Sequence, residues 1–333
     1  MKYVPLGPTG VRVSRLCLGT MNFMNQAQNE HEATRIVHAA IDAGINFIDT
    51  ADCYGEAELI LANALKHKRD KVVLATKCWV SGGIPPNVRI SSRYYVIPAV
   101  ERALKRLATD HIDLMIIHRP DQVWPPAPVE ETLSALTDCV RQGKIRYIGT
   151  SCYHPWRIVE SQWASRHCGY ERFCCEQLNY SIMNRYVERD VLGICEKYAV
   201  GVTVFSALNY GWLAGKYRRG MAPPADSRAA RKFKIRIDSP DAERNFDIIE
   251  KLIPLAEQRG LPLSQFSLAW VLRNPIVTSV IIGPRLTGQL EDNLKSIDVQ
   301  LDDEAMKAVD EIAPPGSGDD REYPSIMKAK SQL

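Results

Sequence analysis

Several features are missing from this 333-residue sequence, and each absence removes a class of function. No apolar run approaches the ~18 residues of a membrane span, so no membrane association is expected. The turn-rich N-terminal residues MKYVPLGPTGVRVSR lack the apolar core of a secretion signal. Charge of one sign is also lacking. The 42 basic residues against 39 acidic ones leave a net of +3, too small and too evenly spread to suit nucleic acid or an anionic surface. The one basic cluster, RAARKFKIR at 228–236, carries no base-stacking aromatic except Phe233 and reads as a solvated loop. The nine cysteines contain no Cys-x-x-Cys and form no regular framework, so free thiols in a reducing, cytoplasmic setting are expected. No composition break divides the chain, and with 45% hydrophobic and 24% charged residues it is expected to form a single domain over 1–333.

What is present is an alternation. An opening hairpin is expected around the turn Gly7-Pro8-Thr9-Gly10, with residues 1–13 at the barrel bottom. Short apolar strands follow at 15–19, 46–49, 72–76, 114–118, 147–149, 174–178, 202–206 and 279–282. Amphipathic helical patterns separate them at 30–43, 56–66, 95–107, 130–142, 155–165, 189–198, 241–257 and 263–272. Glycine stops are expected at Gly44, Gly143 and Gly260. Strands alternating with helices imply a parallel sheet, either open and doubly wound or closed into a barrel. The open form would carry Gly-x-Gly-x-x-Gly after its first strand, but Gly19-Thr20-Met21-Asn22 stands there. The expectation is an α/β protein with a (β/α)8 TIM barrel, an N-terminal hairpin and a C-terminal tail at 315–333.

Working residues of such barrels sit at the carboxyl ends of the strands. Those ends hold Gly19-Thr20-Met21, Asp49 with Tyr54, Lys77, His118, Ser151-Cys152, Gln177, Ser206 and Gly283-Pro284-Arg285. Taken singly, Lys77 reads as a rim charge and His118 as a core histidine. Four different ionisable groups converging on one rim suit a shared chemistry. An ammonium beside a phenol favours the phenolate, and a carboxylate keeps the lysine charged. Tyr54, Lys77 and Asp49 together suit proton transfer to a carbonyl oxygen, with His118 orienting it. One His and one Asp with Lys between them do not suggest a metal site. The group still needs a hydride donor, which side chains do not supply.

The motifs GTMNF (19–23), NFIDTADCYG (46–55), LATK (74–77), RLATDHIDLMIIHRPD (106–121), IRYIGTS (145–151), EQLNYS (176–181), FSAL…GWLAGK (205–216) and SVIIGPRLTGQLEDN (279–293) resemble the aldo-keto reductases over nearly the whole chain. The resemblance implies a barrel that binds NADPH in extended form, with a catalytic tetrad on Asp49, Tyr54, Lys77 and His118. It implies reduction of an aldehyde or ketone, reversibly, with a small-molecule carbonyl or alcohol as partner, or alternatively an NADP(H)-binding regulatory subunit with little turnover, like channel β-subunits; association with a second copy of the chain is left open.

Cofactor positions carry over one by one. Thr20, Met21 and Asp49 fall among them. Ser151 and Gln177 match the groups that bond the nicotinamide carboxamide, and Cys152 stands where the family usually has Asn. Phe205 matches a ring stacked under the nicotinamide, and Ser206, Ala207 and Leu208 a chain wrapped round the pyrophosphate. Lys216 matches a phosphate contact, and Gly283, Arg285, Gln289, Asp292 and Asn293 form the adenosine end. Arg285 suits a 2′-phosphate, which implies NADPH over NADH. Phe23 and Trp79, just past strand ends, either wall a substrate pocket with Tyr54 and His118 or cover the rim. Substrate choice is assigned to the loops at 79–94, stiffened by Pro85-Pro86, at 121–128, with Pro125-Pro126, and at 218–240, and to the tail.

Overall fold

The computed structural model describes residues 1–23, 30–79, 88–121, 126–230, 237 and 240–320. Pro85-Pro86, Pro125, Phe233 and the tail beyond 320 lie outside the described residues. A hairpin of β1 (Tyr3–Pro5) and β2 (Arg12–Ser14) pairs antiparallel, Val4 facing Val13. Eight parallel strands then close into a barrel: β3 (Leu16–Gly19), β4 (Phe47–Asp49), β5 (Val73–Cys78), β6 (Ile112–Ile117), β7 (Ile145–Ser151), β8 (Phe173–Asn179), β9 (Gly201–Phe205) and β10 (Val277–Ile282), with β10 pairing back onto β3. This is the (β/α)8 architecture, with the short hairpin sheet ahead of it.

The surrounding helices are α1 (Glu30–Asp42), α2 (Ala57–Ala64), α3 (Arg93–Leu107), α4 (Val129–Arg141), α5 (Pro155–Cys168), α6 (Val191–Lys197), α7 (Pro240–Glu257), α8 (Leu263–Arg273), α9 (Thr287–Leu294) and α10 (Asp303–Ile312). Their sequences explain their limits. α1 opens on Glu30 and Glu32, which suit the positive end of the helix dipole, and buries Ala33, Ile36, Val37 and Ala40. The chain turns at Gly44, Gly143 and Gly260 with φ of +87°, +73° and +67°, values that cost glycine little. Among the described residues no helix is long and apolar enough to cross a membrane.

The pleat divides the core into two packed regions, because side chains alternate across a strand. Ile48, Leu74, Met115, Ile117, Leu178, Val204 and Ile282 face outward and pack against the helices. Cys17, Phe47, Ala75, Leu114, Ile116 and Cys175 face inward and form a separate cluster, which Leu6 and Val13 of the hairpin join. The hairpin reaches the amino ends of β8 and β9 closely: a Cβ on Gly7 would lie 2.2 Å from the Cys174 carbonyl oxygen, and one on Gly201 would lie 2.7 Å from Gly7 N. Of the tail, Ser317 accepts a 2.7 Å hydrogen bond from Arg185 N–H, and Gly316 accepts one of 2.7 Å from Arg189 Nε.

With apolar side chains filling the barrel from its amino end, the inward positions two residues further along face the opposite mouth. On β4 that step runs from Phe47 to Asp49, on β5 from Ala75 to Lys77, and on β8 from Cys175 to Gln177. The alternation that packs the core thus also aims the polar groups.

Candidate active site

At the carboxyl end of the barrel a cavity of about 740 Å³ runs from Asp49 and Tyr54 to Arg285 and Asn293. Beneath its floor Lys77, 1% exposed, donates to Asp49 Oδ2 at 2.6 Å and to the Thr50 carbonyl at 2.8 Å. Its third proton points at the Tyr54 hydroxyl, 3.4 Å away. Asp49 is held from its other side, where Oδ1 accepts from Gln177 Nε2 at 2.8 Å. Four strands and turns therefore meet in one hydrogen-bonded unit. The His118 ring packs edge-on against Tyr54 and against Trp79, each with centroids 6.0 Å apart.

Electrostatics here differ in one respect from the sequence expectation. Burial alone would lower the Lys77 ammonium, but the Asp49 carboxylate and Tyr54 more than offset it, and the group lies above its ordinary value. For Tyr54 the balance is reversed. Burial raises the phenol to about 12, although Lys77 pulls it down, so a lowered value is not what the site produces. The phenol keeps its proton through the neutral range and is poised as a donor.

Most of the residues expected at the site are brought together. Met21, Asp49, Tyr54, Trp79, His118, Ser151, Gln177, Phe205, Ser206, Ala207, Leu208 and Lys216 line the cavity, with Gly283, Arg285, Gln289, Asp292 and Asn293 at its far end. Lys77 lies beneath its floor, and Phe23, Thr20 and Cys152 do not line it either. Phe23 is 1% exposed and packs into the strand–helix core, so it covers the rim rather than walling the pocket. Thr20, wholly buried, ties β3 to β4 through its N–H and hydroxyl, both donated to the Asp49 carbonyl. Cys152 is buried behind Ser151, in a left-handed backbone conformation (φ 54°) that asparagine adopts with less strain than cysteine. Its N–H donates to the Gln177 carbonyl at 3.0 Å.

The two ends of the cavity differ. At the far end Arg285 donates to the Asp226 carbonyl at 2.8 Å and to its carboxylate at 2.9 Å, while its own N–H donates to Gln289 Oε1 at 2.8 Å. Asp292 accepts from Gln265 at 2.6 Å and from Ser264 at 3.1 Å. Between the ends, Ser206, Asn209 and Tyr210 all have positive φ, of 55°, 43° and 56°, a strained run along the wall.

Sequence reasoning missed Asn22, Cys53, Arg119 and Arg228, which also line the cavity. Arg228 opens the basic cluster read as a solvated loop. It instead reaches across to donate to Asn22 Oδ1 at 2.9 Å, and Asn22 donates to the Gly283 carbonyl at 2.6 Å. No local pattern marks a contact between residues so far apart. Cys53 had a signal that went unused, since with Asp52 it lies in the turn quoted for Tyr54. Asp52 accepts the Trp79 N–H on both oxygens, at 3.0 and 2.8 Å, and so fixes the start of that loop. Together with His118 these two form a set of potential metal donors, a grouping that counting only strand-end residues overlooks.

Comparison with known proteins agrees with this geometry. The profile of the Aldo/keto reductase family matches residues 15–314. The chain is 36% identical over 332 residues to the "Uncharacterized oxidoreductase YrpG" of Bacillus subtilis, covering 96% of this chain and 98% of that one. It is 34% identical to a "Probable voltage-gated potassium channel subunit beta" of Oryza sativa subsp. japonica and 33% identical to one of Arabidopsis thaliana, each match covering 90% of this chain and 92% of the relative. With a closed eight-stranded barrel and a family match across nine-tenths of its length, the chain belongs to the aldo/keto reductase family of oxidoreductases.

Proposed function

We propose that this protein reduces an aldehyde or ketone to the alcohol, and runs the reverse oxidation, with NADPH as cofactor. The observation that carries the reading is the buried Lys77 ammonium, bonded to Asp49 at 2.6 Å and facing at 3.4 Å the hydroxyl of Tyr54, which lines the cavity with His118. Bound there, NADPH would supply the hydride. Tyr54, protonated near neutrality, donates its proton to the carbonyl oxygen, a transfer worth about 10²–10⁴-fold in rate. Lys77 stabilises the phenolate left behind, and Asp49 holds that ammonium charged and in place. His118 orients the carbonyl oxygen between Tyr54 and Trp79.

The cavity suits the cofactor chemically. Gln177 has committed its amide nitrogen to Asp49, which leaves its carbonyl oxygen to accept from a carboxamide beside Ser151. Phe205 offers a ring face, and Lys216 and Arg285 offer cations for the phosphates. Arg285 is held by Asp226 with the forked geometry a 2′-phosphate would use, which supports NADPH over NADH. Nine free cysteines support a reducing, cytoplasmic setting.

The test is absorbance of the reduced nicotinamide with NADPH or NADH and a panel of small aldehydes and bulkier ketones, beside Tyr54→Phe. Oxidation that depends on substrate and on Tyr54 supports the reductase. The relatives named as channel subunits motivate a second reading, an NADP(H)-binding subunit with little turnover. Tight NADPH binding by fluorescence with silence across the panel would favour that reading and sink the first.

A further inference from the structure

The turn that carries Tyr54 also gathers three donor atoms of a different kind. Asp52, Cys53 and His118 each offer one ligand atom, and these atoms all lie within 4.8 Å of one another. Cys53 Sγ and His118 Nδ1 are 3.6 Å apart. A tetrahedral Zn²⁺ bonded to a thiolate at about 2.3 Å and an imidazole at about 2.05 Å separates those two atoms by about 3.6 Å. The pair already has the spacing of two ligands on one ion.

We propose that Asp52, Cys53 and His118 bind a borderline-soft divalent cation of the Zn²⁺ class at the cavity wall, leaving the fourth position open to water. The thiol makes the site selective, since thiolate favours Zn²⁺ over Mg²⁺ and Ca²⁺. Binding releases the Cys53 proton to solvent, and nothing is oxidised or reduced. The Asp52 carboxylate closes by about an ångström to reach tetrahedral spacing. Its oxygens accept the backbone N–H groups of Trp79 and Cys53 and keep further lone pairs for the ion. The Lys77 ammonium and the Arg102 guanidinium are opposing charges nearby, and Asp49 balances the first at 2.6 Å.

The consequence for turnover rests on the role proposed for His118. An ion on Nδ1 ties the imidazole to Cys53 and places positive charge beside Tyr54 and Trp79, where the carbonyl would lie. The ion is therefore a competitive inhibitor toward the carbonyl substrate and leaves kcat unchanged at saturating substrate.

The experiment adds Co²⁺ to the full chain without cofactor and follows the thiolate-to-cobalt charge-transfer band in the near ultraviolet. One equivalent is expected to give the band, Zn²⁺ to displace it and Mg²⁺ not to. Cys53→Ser loses the band, Asp52→Asn weakens binding at least about tenfold, and Cys168→Ser, which alters the exposed thiol, keeps it. Circular dichroism establishes that each variant is folded, and His118→Gln supplies a second ligand deletion. A band that persists in Cys53→Ser, or none with excess Co²⁺, overturns the site and leaves carbonyl reduction standing. Cobalt binding without a rise in KM for the carbonyl when Zn²⁺ is present overturns the inhibitory role and counts against the placement of substrate at His118.

Discussion

Two ion pairs mark the two ends of the cavity, and they are built in opposite ways. Lys77 and Asp49 meet at 2.6 Å with side chains 0% and 4% exposed, whereas Arg285 and Asp226 meet at 2.9 Å with 16% and 73% exposed. A buried pair resists exchange, because removing one member strands the other away from water at a cost of about 3–5 kcal/mol. An exposed pair contributes about 0–1 kcal/mol, and its acidic member returns to solvent at little cost. The first holds the groups of the proposed proton transfer in one arrangement. The second lends a guanidinium that an incoming anion can take over. Burial thus separates an end suited to chemistry from an end suited to recognition.

The largest effects should come from breaking the buried end. Tyr54→Phe is expected to lower kcat by about 10²–10⁴-fold with NADPH affinity retained, read by steady-state rates and fluorescence titration. Lys77→Met should lower kcat comparably and also cost about 3–5 kcal/mol of stability, since among the described residues Asp49 keeps only Gln177 as a side-chain donor; denaturant midpoints check this. An undiminished rate in either variant would remove the basis of the proposed mechanism.

A second buried carboxyl sharpens the comparison because burial outweighs the Arg119 guanidinium that favours its charge. Glu176, wholly buried on β8, accepts from the Thr150 hydroxyl and from Tyr153 N–H at 3.0 Å. Burial raises its carboxyl from 4.5 to about 8, the two donors pulling against the rise. Between those values the folded chain holds a proton that the unfolded chain does not. The group's contribution is therefore greatest below 4.5 and is lost as pH rises to about 8. Glu176→Gln keeps the Tyr153 N–H contact on its carbonyl oxygen and donates its amide N–H to the Thr150 hydroxyl, and it should flatten this decline, by a few kcal/mol in urea unfolding between the two ends of the range. An unchanged pH slope would show that Glu176 is ionised throughout.

At the exposed end the effects should be smaller and confined to recognition. Arg285→Ala removes charge-assisted bonds worth about 1.5–3 kcal/mol, so NADPH binding should weaken roughly 10–150-fold while NADH changes little. Equal losses for both cofactors would reassign Arg285. Asp226→Asn removes the competing carboxylate and should tighten NADPH by about two- to fivefold, detectable in the dissociation constant. Looser binding would mean that the pair closes over the cofactor instead of yielding to it.

Much of this was legible because strand and helix periods are local. Eight strands appear where the apolar runs stand, although β7 extends to Ile145 and Ser151 around a half-polar stretch that hid its ends. α10 escaped notice despite its Asp302 cap, whose side chain accepts from Ala305 N–H at 2.6 Å. The site divides the same way. Asp49, Lys77, His118 and Gln177 lie at or just past strand ends, and alternation aims them. Asn22, Arg119 and Arg228 come from loops, whose paths no period records. The direction of the Tyr54 shift also escaped, because the phenol's own burial outweighs the lysine beside it.

The order of apolar runs, glycine turns and strand-end polar residues determined by itself that this chain would close a parallel barrel and present an aspartate, a tyrosine, a lysine and a histidine at one mouth. Those features act over a few residues, and a barrel allows them one collective arrangement. Tertiary structure alone decided that Arg285 meets Asp226, that Arg228 reaches Asn22, and that Cys53 comes within 3.6 Å of His118. These contacts depend on how separate loops pack over the closed barrel, and that packing exists only once all eight strands are in place.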